Sequence, residues 1–167
     1  MRVFAPLAAV LLVAGLAACT EPASDTGNST APDTTTIPFD KEGTLAFLQD
    51  RDTLVVLDIE VADTDSARER GMMQREGFPS ETSAMLFPFS EAKTRSFWMA
   101  NTPLALDLFF INADSQIVRI KKYAQPNTAA SIPSGAPTQY VLETPAGFAD
   151  SYGVVEGDRV RWQRTDE

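Results

Sequence analysis

The chain has 167 residues, with 14 lysines and arginines against 23 aspartates and glutamates and a formal charge of −9. That balance argues against a nucleic-acid partner, whose phosphate backbone requires clustered basic side chains. There is no histidine, which removes the commonest general base, the commonest metal ligand and the usual partner of a nucleophilic serine. With Cys19 the single cysteine, neither an intrachain disulfide nor a zinc site of the usual sulfur and nitrogen type can be assembled. A metal would have to be a hard cation held by oxygens, and no cofactor is expected.

The N-terminus carries one positive charge, Arg2, then an apolar run from Val3 to Leu16, then small residues before Cys19, which is the layout of an export signal. The run is shorter than the roughly 20 apolar residues of a spanning helix. Leu16-Ala17-Ala18-Cys19 resembles the lipobox of bacterial lipoproteins, in which the thiol is lipidated, the signal (residues 1–18) is removed and the new amine is acylated. Two or more acyl chains, at about 0.8 kcal/mol per buried methylene, hold a protein firmly on a bilayer. The acidity of the chain leaves those chains on Cys19 as the main membrane tie. Thr20 follows the cysteine in place of the aspartate that retains lipoproteins at the inner membrane of some Gram-negative bacteria. The expected location is therefore the cell envelope, with the outer membrane facing the periplasm favoured where the organism has one. Residues 19–38 are rich in Thr, Ser, Pro and Asp and poor in large apolar side chains, so they read as a flexible tether. Asn28-Ser29-Thr30 matches a glycosylation sequon and, in this context, reads as linker composition.

Residues 39–167 form one domain, of a size that buries roughly two-thirds of its chain surface. Between Thr53 and Val61 the apolar residues Val55, Leu57, Ile59 and Val61 share one parity and Asp58 and Glu60 the other, which predicts a half-buried strand. Gly43 to Gln49 is its expected hairpin partner across Asp50-Arg51-Asp52. Asp63-Thr64-Asp65 offers N-cap chemistry for a short helix through Arg70, stopped by Gly71. Further strands are expected at Met85–Phe87, Ser96–Met99, Leu108–Ile111, Ile117–Tyr123, Tyr140–Glu143 and Arg159–Trp162. Asn112-Ala113-Asp114-Ser115 predicts a tight turn between two of them. Pro145 to Tyr152 reads as a second short helix with Gly153 past its end. The fold class is α+β, mainly β: a compact antiparallel sheet or a partly closed barrel with two short helices.

Arg70-Gly71-Met72-Met73-Gln74-Arg75, Met85-Leu86-Phe87, Ser96-Phe97-Trp98-Met99-Ala100-Asn101-Thr102, Leu106-Asp107 and Phe110-Ile111 occur in that order. Tyr140-Val141-Leu142-Glu143, Ala146-Gly147, Gly153-Val154 and Gly157-Asp158 follow. Together these strings resemble the bacterial family called domain of unknown function 192 over residues 53–162. Ala84 stands where the family often has glycine, and Met72 where leucine is common. The resemblance implies a small β-rich domain, often exported or lipid-anchored, whose biochemical activity is not established.

Among residues that could carry chemistry, Trp98 is foremost. In an extended Ser96–Ala100, Phe97 and Met99 point one way and Trp98 the other, so Trp98 lies opposite the core if that pair is core. An indole beside Asn101, Thr102 and Asp107 would form an aromatic platform ringed by hydrogen-bonding groups, suited to a small polar ring such as a sugar; the alternative is a second small core. Asp107, flanked by apolar residues, either fastens the loop around Asn101 and Thr102 or serves as a general base. Asn101 either joins that site or caps a turn through its own side chain. Arg75 and Arg95 could bind an anion or pair with Glu76 or Glu91. Glu143 is either an exposed strand residue or the second carboxylate of an acid–base pair with Asp107. Met72, Met73, Met85 and Met99 read as core filler.

The first functional reading is a lipid-anchored, non-catalytic envelope domain that binds a small polar ligand, carbohydrate first, or an envelope partner. The others are a carboxylate-dependent hydrolase such as a glycosidase, using Asp107 and Glu143, and a purely structural envelope protein. The anchor has a direct test. Cys19→Ser should leave a folded domain that no longer fractionates with membranes, and persistence in the membrane fraction after a high-salt wash would refute it.

Overall fold

The computed structural model describes residues 37–165. The expected signal segment, Cys19 and all of the expected tether except Ile37 and Pro38 lie outside the described residues. The strands are β1 (Gly43–Gln49), β2 (Asp52–Val61), β3 (Ser83–Lys93), β4 (Ser96–Phe97), β5 (Leu106–Ile111), β6 (Ile117–Ala124), β7 (Ile132–Pro133), β8 (Thr138–Pro145) and β9 (Arg159–Arg164). Helix α1 (Asp65–Arg70) follows β2 and α2 (Phe148–Tyr152) follows β8.

Seven strands form one sheet in the order β6-β5-β8-β3-β2-β1-β9, and β4 pairs with β7. All pairs are antiparallel except β2 with β3, where Asp58 to Val61 run alongside Ser83 to Leu86. A parallel pair needs a crossover, and the segment containing α1 supplies it. The sheet does not close into a barrel. Its two edge strands touch at one end, where Gln116 bridges to Arg159 and Val160 N–H donates to the Ser115 carbonyl.

Local chemistry explains the ends of α1 and the β5–β6 turn. Thr64 caps α1 by accepting from Ala67 N–H at 3.1 Å, and Gly71 ends it at φ +46. A side chain at Gly71 would be strained by that φ and would meet the Phe87 ring at 3.2 Å. The Asn112 side chain accepts from Asp114 N–H at 3.0 Å and Gln116 N–H at 2.9 Å, which closes the β5–β6 turn. Pro145 does not begin α2 as its residue type predicted; it is the last residue of β8, and α2 starts at Phe148 after Gly147. Ser96–Met99 is strand only at Ser96–Phe97, so Trp98 lies just beyond β4.

Both faces of the central strands are covered. On one face Leu45, Phe47, Ile59, Leu86, Phe109 and Leu142 pack with Phe148 of α2. On the other, Met85, Phe87, Leu108, Phe110 and Val141 pack with Met72, Met99 and Ile132. Double-sided burial is why Met85–Phe87 and Leu108–Ile111 are continuous apolar runs while β2 alternates.

Two buried acids tie segments together. Asp107, fully buried, accepts from the backbone N–H groups of Tyr123 (2.8 Å), Gly147 (3.1 Å) and Ala149 (3.0 Å). It therefore fastens α2 and β6, not the loop around Asn101 and Thr102. Glu60 takes both terminal nitrogens of Arg75, at 2.9 and 2.5 Å, and also accepts from Asp40 N–H, while Arg75 donates to the Pro38 carbonyl. The partner of Arg75 is thus Glu60, 15 positions away, and not Glu76. Asp107→Asn should lower stability by about 3 kcal/mol, because an amide turns one acceptor into a donor facing backbone N–H groups, and bonds to a charged group contribute about 1.5–3 kcal/mol each. Urea denaturation reads it; a change below about 1 kcal/mol would show that the clamp is not what holds α2.

Candidate functional site

A pocket of about 530 Å³ opens on the face of the sheet opposite α2. Its wall is built from the end of α1 and the turn after it (Arg68 to Met73), from Phe87 and Phe89 of β3, from Thr94 to Trp98, and from Thr102 and Glu143. The size lies within the range of roughly 300–1,000 Å³ common for small-molecule sites. Four of the nine strings that carried the family resemblance contribute to it, through Arg70–Met73, Phe87, Ser96–Trp98 with Thr102, and Glu143.

Trp98 stands at the mouth, 56% exposed, while Met99 is fully buried and Phe97 half-buried. The parity read from the sequence is the observed one. The loop behind Trp98 is pinned by the backbone: Met99 N–H donates to Thr128 O at 2.9 Å, Asn127 N–H to Thr102 O at 3.0 Å, and Thr102 N–H to Met99 O at 3.2 Å. Asn101 is exposed, does not line the pocket, and takes a left-handed conformation at φ +54 whose carbonyl accepts from Gln74 N–H at 2.8 Å. It is a turn residue, and its contribution is to hold the Met72–Arg75 turn against the Trp98 loop.

Phe89 carries two guanidinium groups on its ring, Arg95 at 3.6 Å and Arg68 at 5.2 Å from the centroid. Arg95 also donates to the main-chain carbonyls of Thr138 (3.2 Å) and Glu91 (2.7 Å), so it meets Glu91 through the backbone and not through the carboxylate. Burial lowers the Arg95 pKa, the Glu91 charge opposes this and Arg68 adds to it. Arg68 is held by the Pro88 carbonyl and by Asp65 at 3.0 Å.

Glu143 is the innermost polar group. It is not an exposed strand residue: it is 5% exposed, in register with Met85 on β3 and Leu108 on β5. Its carboxyl has no hydrogen-bond partner among the described residues, and burial alone pushes its pKa from 4.5 up to about 8. Asp107 is the neighbour of Leu108 in β5 and therefore projects to the other face, where α2 packs. The two carboxylates do not share a site, and Arg75, locked to Glu60, does not reach the pocket.

Of the residues singled out in the sequence, Trp98, Thr102, Arg95 and Glu143 come together, and Asn101, Asp107 and Arg75 serve the scaffold. Arg68, Arg70 and Phe89 were not anticipated. The two arginines lie in the last turn of α1, where basic side chains are common on helix-dipole grounds alone, and Phe89 lies beyond the expected end of its strand. No group of three or more Asp, Glu, Cys or His side chains among the described residues could hold a metal ion. A second concavity of about 360 Å³, between Gly77–Glu81 and Leu104–Leu106, presents Glu81 as its single charged side chain.

The Glu143 pKa carries a stability signature. A folded-state value raised from 4.5 to about 8 means that, between those pH values, the folded chain holds a proton that the unfolded chain has released. Stability from this group is present below about pH 4.5 and is lost at about 1.4 kcal/mol per pH unit as pH rises to about 8, then stays level. Glu143→Gln should therefore gain stability over the parent progressively from pH 5 to 8 in urea titrations. A difference that does not change with pH would show that the carboxyl is ionised throughout.

The family DUF192, described as an uncharacterized ACR, matches residues 46–162. Two solved structures share the fold. One, a candidate transcription regulator from Sinorhizobium meliloti 1021, is 36% identical, with a TM-score of 0.69 over 75% of this chain and 96% of that one. The other, a protein of unknown function from Novosphingobium aromaticivorans DSM 12444, is 28% identical, with a TM-score of 0.67 over 71% of this chain and 84% of that one. No curated protein matches the chain. The motifs that converge on the pocket and the extent of the match agree: the chain belongs to the DUF192 family.

Proposed function

We propose that this protein is a lipid-anchored cell-envelope domain that binds a small polar ligand, carbohydrate first among the classes, in the pocket beneath Trp98. The observation that carries the reading is one cavity of about 530 Å³ with an exposed indole at its mouth and a buried, unpartnered carboxyl inside. Buried polar groups in folded proteins are normally paired, and Asp107 in the same sheet illustrates the norm. Glu143 has no protein partner among the described residues and lines the pocket, so its carboxyl is available to what enters there. Aromatic walls from Phe87, Phe89, Phe97 and Trp98 with a few fixed polar groups are the usual equipment for a small molecule, and the concavity favours such a ligand over a flat protein partner.

The anchoring half of the proposal rests on Leu16–Cys19 and on composition. Hydrolysis by an Asp107–Glu143 pair is set aside because the two carboxyls face opposite sides of the sheet. A purely structural role would need no polar concavity around Trp98. The regulator description belongs to the Sinorhizobium protein; here the net charge of −9 disfavours contact with nucleic acid.

The test uses Trp98 as reporter after Trp162→Phe removes the other tryptophan. Titration with a panel of monosaccharides and small carboxylates should give a saturable emission change for at least one member. Trp98→Ala should abolish the calorimetric binding signal while shifting stability by less than about 1 kcal/mol, as expected of a surface substitution. A parent that stays silent across the panel would remove the ligand-binding reading and leave the structural one.

A further inference from the structure

A buried carboxyl without a partner can be completed in two ways. As a carboxylate it takes a cation or several donors; as a carboxylic acid it donates its proton to an acceptor. The charges around the pocket decide between them. In a chain with 14 basic and 23 acidic residues, this one pocket gathers Arg68, Arg70 and Arg95 against Glu69 and the buried Glu143. Arg68 is committed to Asp65 and the Pro88 carbonyl, and Arg95 commits two of its nitrogens to carbonyls and keeps Nη1 uncommitted. Arg70 is exposed and has no ion-pair partner among the described residues. A cation entering toward Glu143 would pass three guanidinium groups, whereas an anion would meet two with free donors.

The surroundings of Glu143 favour the acid form. Its in-register neighbours on β3 and β5 are Met85 and Leu108, and Phe87 and Thr102 share its cavity. The charged groups facing the cavity are Arg68, Glu69 and Arg70 from α1 and Arg95 from the β3–β4 connection, with Glu91 and Lys93 on the outer part of β3 paired to each other. None of them contributes to the raised pKa of Glu143, which follows from burial.

Resting on the pocket reading above, we infer that the site selects a carboxylate-bearing small molecule, an acidic sugar in the first instance, that accepts a hydrogen bond from the Glu143 carboxyl and pairs with Arg70 and Arg95. A site that presents a buried donor discriminates sharply against ligands lacking the matching acceptor. It also loses its anion when that donor ionises. With the Glu143 proton lost near pH 8, affinity for an anion falls about tenfold between pH 7 and 9.

Glucuronate, glucose and glucosamine, sugars of one ring form that differ in charge, are the probes, titrated into the full chain carrying Trp162→Phe. At pH 6.5 glucuronate should bind at least tenfold tighter than glucose, and glucosamine weaker than glucose. Raising the pH from 7 to 9 should weaken glucuronate about tenfold in the parent and leave the profile of Glu143→Gln flat, since an amide remains a neutral donor. Arg70→Gln, at an exposed position, should narrow the glucuronate-to-glucose ratio. Equal affinity for all three sugars, a preference for glucosamine, or a flat profile in the parent would overturn the anion selectivity while leaving a sugar site standing. Silence toward all three would overturn both.

Discussion

Successive side chains of a strand go to opposite faces of its sheet, and in this protein the central strands are buried on both. Every position of β5, and Val141 to Thr144 of β8, must then find its partners within one of two cores, with no solvent face to fall back on. Asp107 and Glu143 show what that imposes. They sit one register step apart on adjacent strands, yet they enter different cores and meet different fates. Asp107 reaches the side where the chain turns into α2 and finds three backbone N–H groups. Glu143 reaches the side where the wall is incomplete and finds a cavity.

The incomplete wall follows from how that second face is covered. The first has a helix laid on it, with Phe148 stacked among Phe47 and Phe109 at centroid distances of 5.5 and 6.1 Å. The second is covered by irregular chain: the turn after α1, the short β4–β7 ribbon and the loop from Trp98 to Leu104. These pieces are locked to one another by main-chain hydrogen bonds, Gln74 to Asn101 and Met99 to Thr128 among them. Their side chains do not fill the space above Glu143. Rigid backbone around an unfilled, partly polar volume is what preorganised binding requires.

Legibility in the sequence followed the range of the interactions. The β1–β2 hairpin, the Thr64 cap, the stop at Gly71 and the Asn112 turn are decided by residues a few positions apart, and all are visible in the chain. The parity of Ser96–Ala100 placed Trp98 correctly because alternation is also local. Double-sided burial is not local. A run such as Leu108–Ile111 is compatible with either face outward, so neither the burial of Glu143 nor its separation from Asp107 could be deduced. The Arg75–Glu60 pair spans 15 positions and a crossover, and nearer acids such as Glu76 competed for the assignment. The pocket needs five separate segments at once, which no spacing rule encodes.

The two basic clusters of this acidic chain, Arg119 with Lys121 and Lys122, and Arg159 with Arg161 and Arg164, lie on β6 and β9, the outermost strands of the sheet. An open sheet exposes unpaired backbone groups along those borders, a template for strand addition by another molecule. Here one end of both borders is consumed by the Gln116–Arg159 bridge, and farther along β6 the Glu156 carboxylate accepts from Ile120 N–H at 2.9 Å. Lys122 is paired with Asp150, and Arg164 with Glu42 and Asp63, so an incoming strand would have to displace bonds already made. Bridge, carboxylate and ion pairs thus occupy the margins along which an open sheet could otherwise be extended.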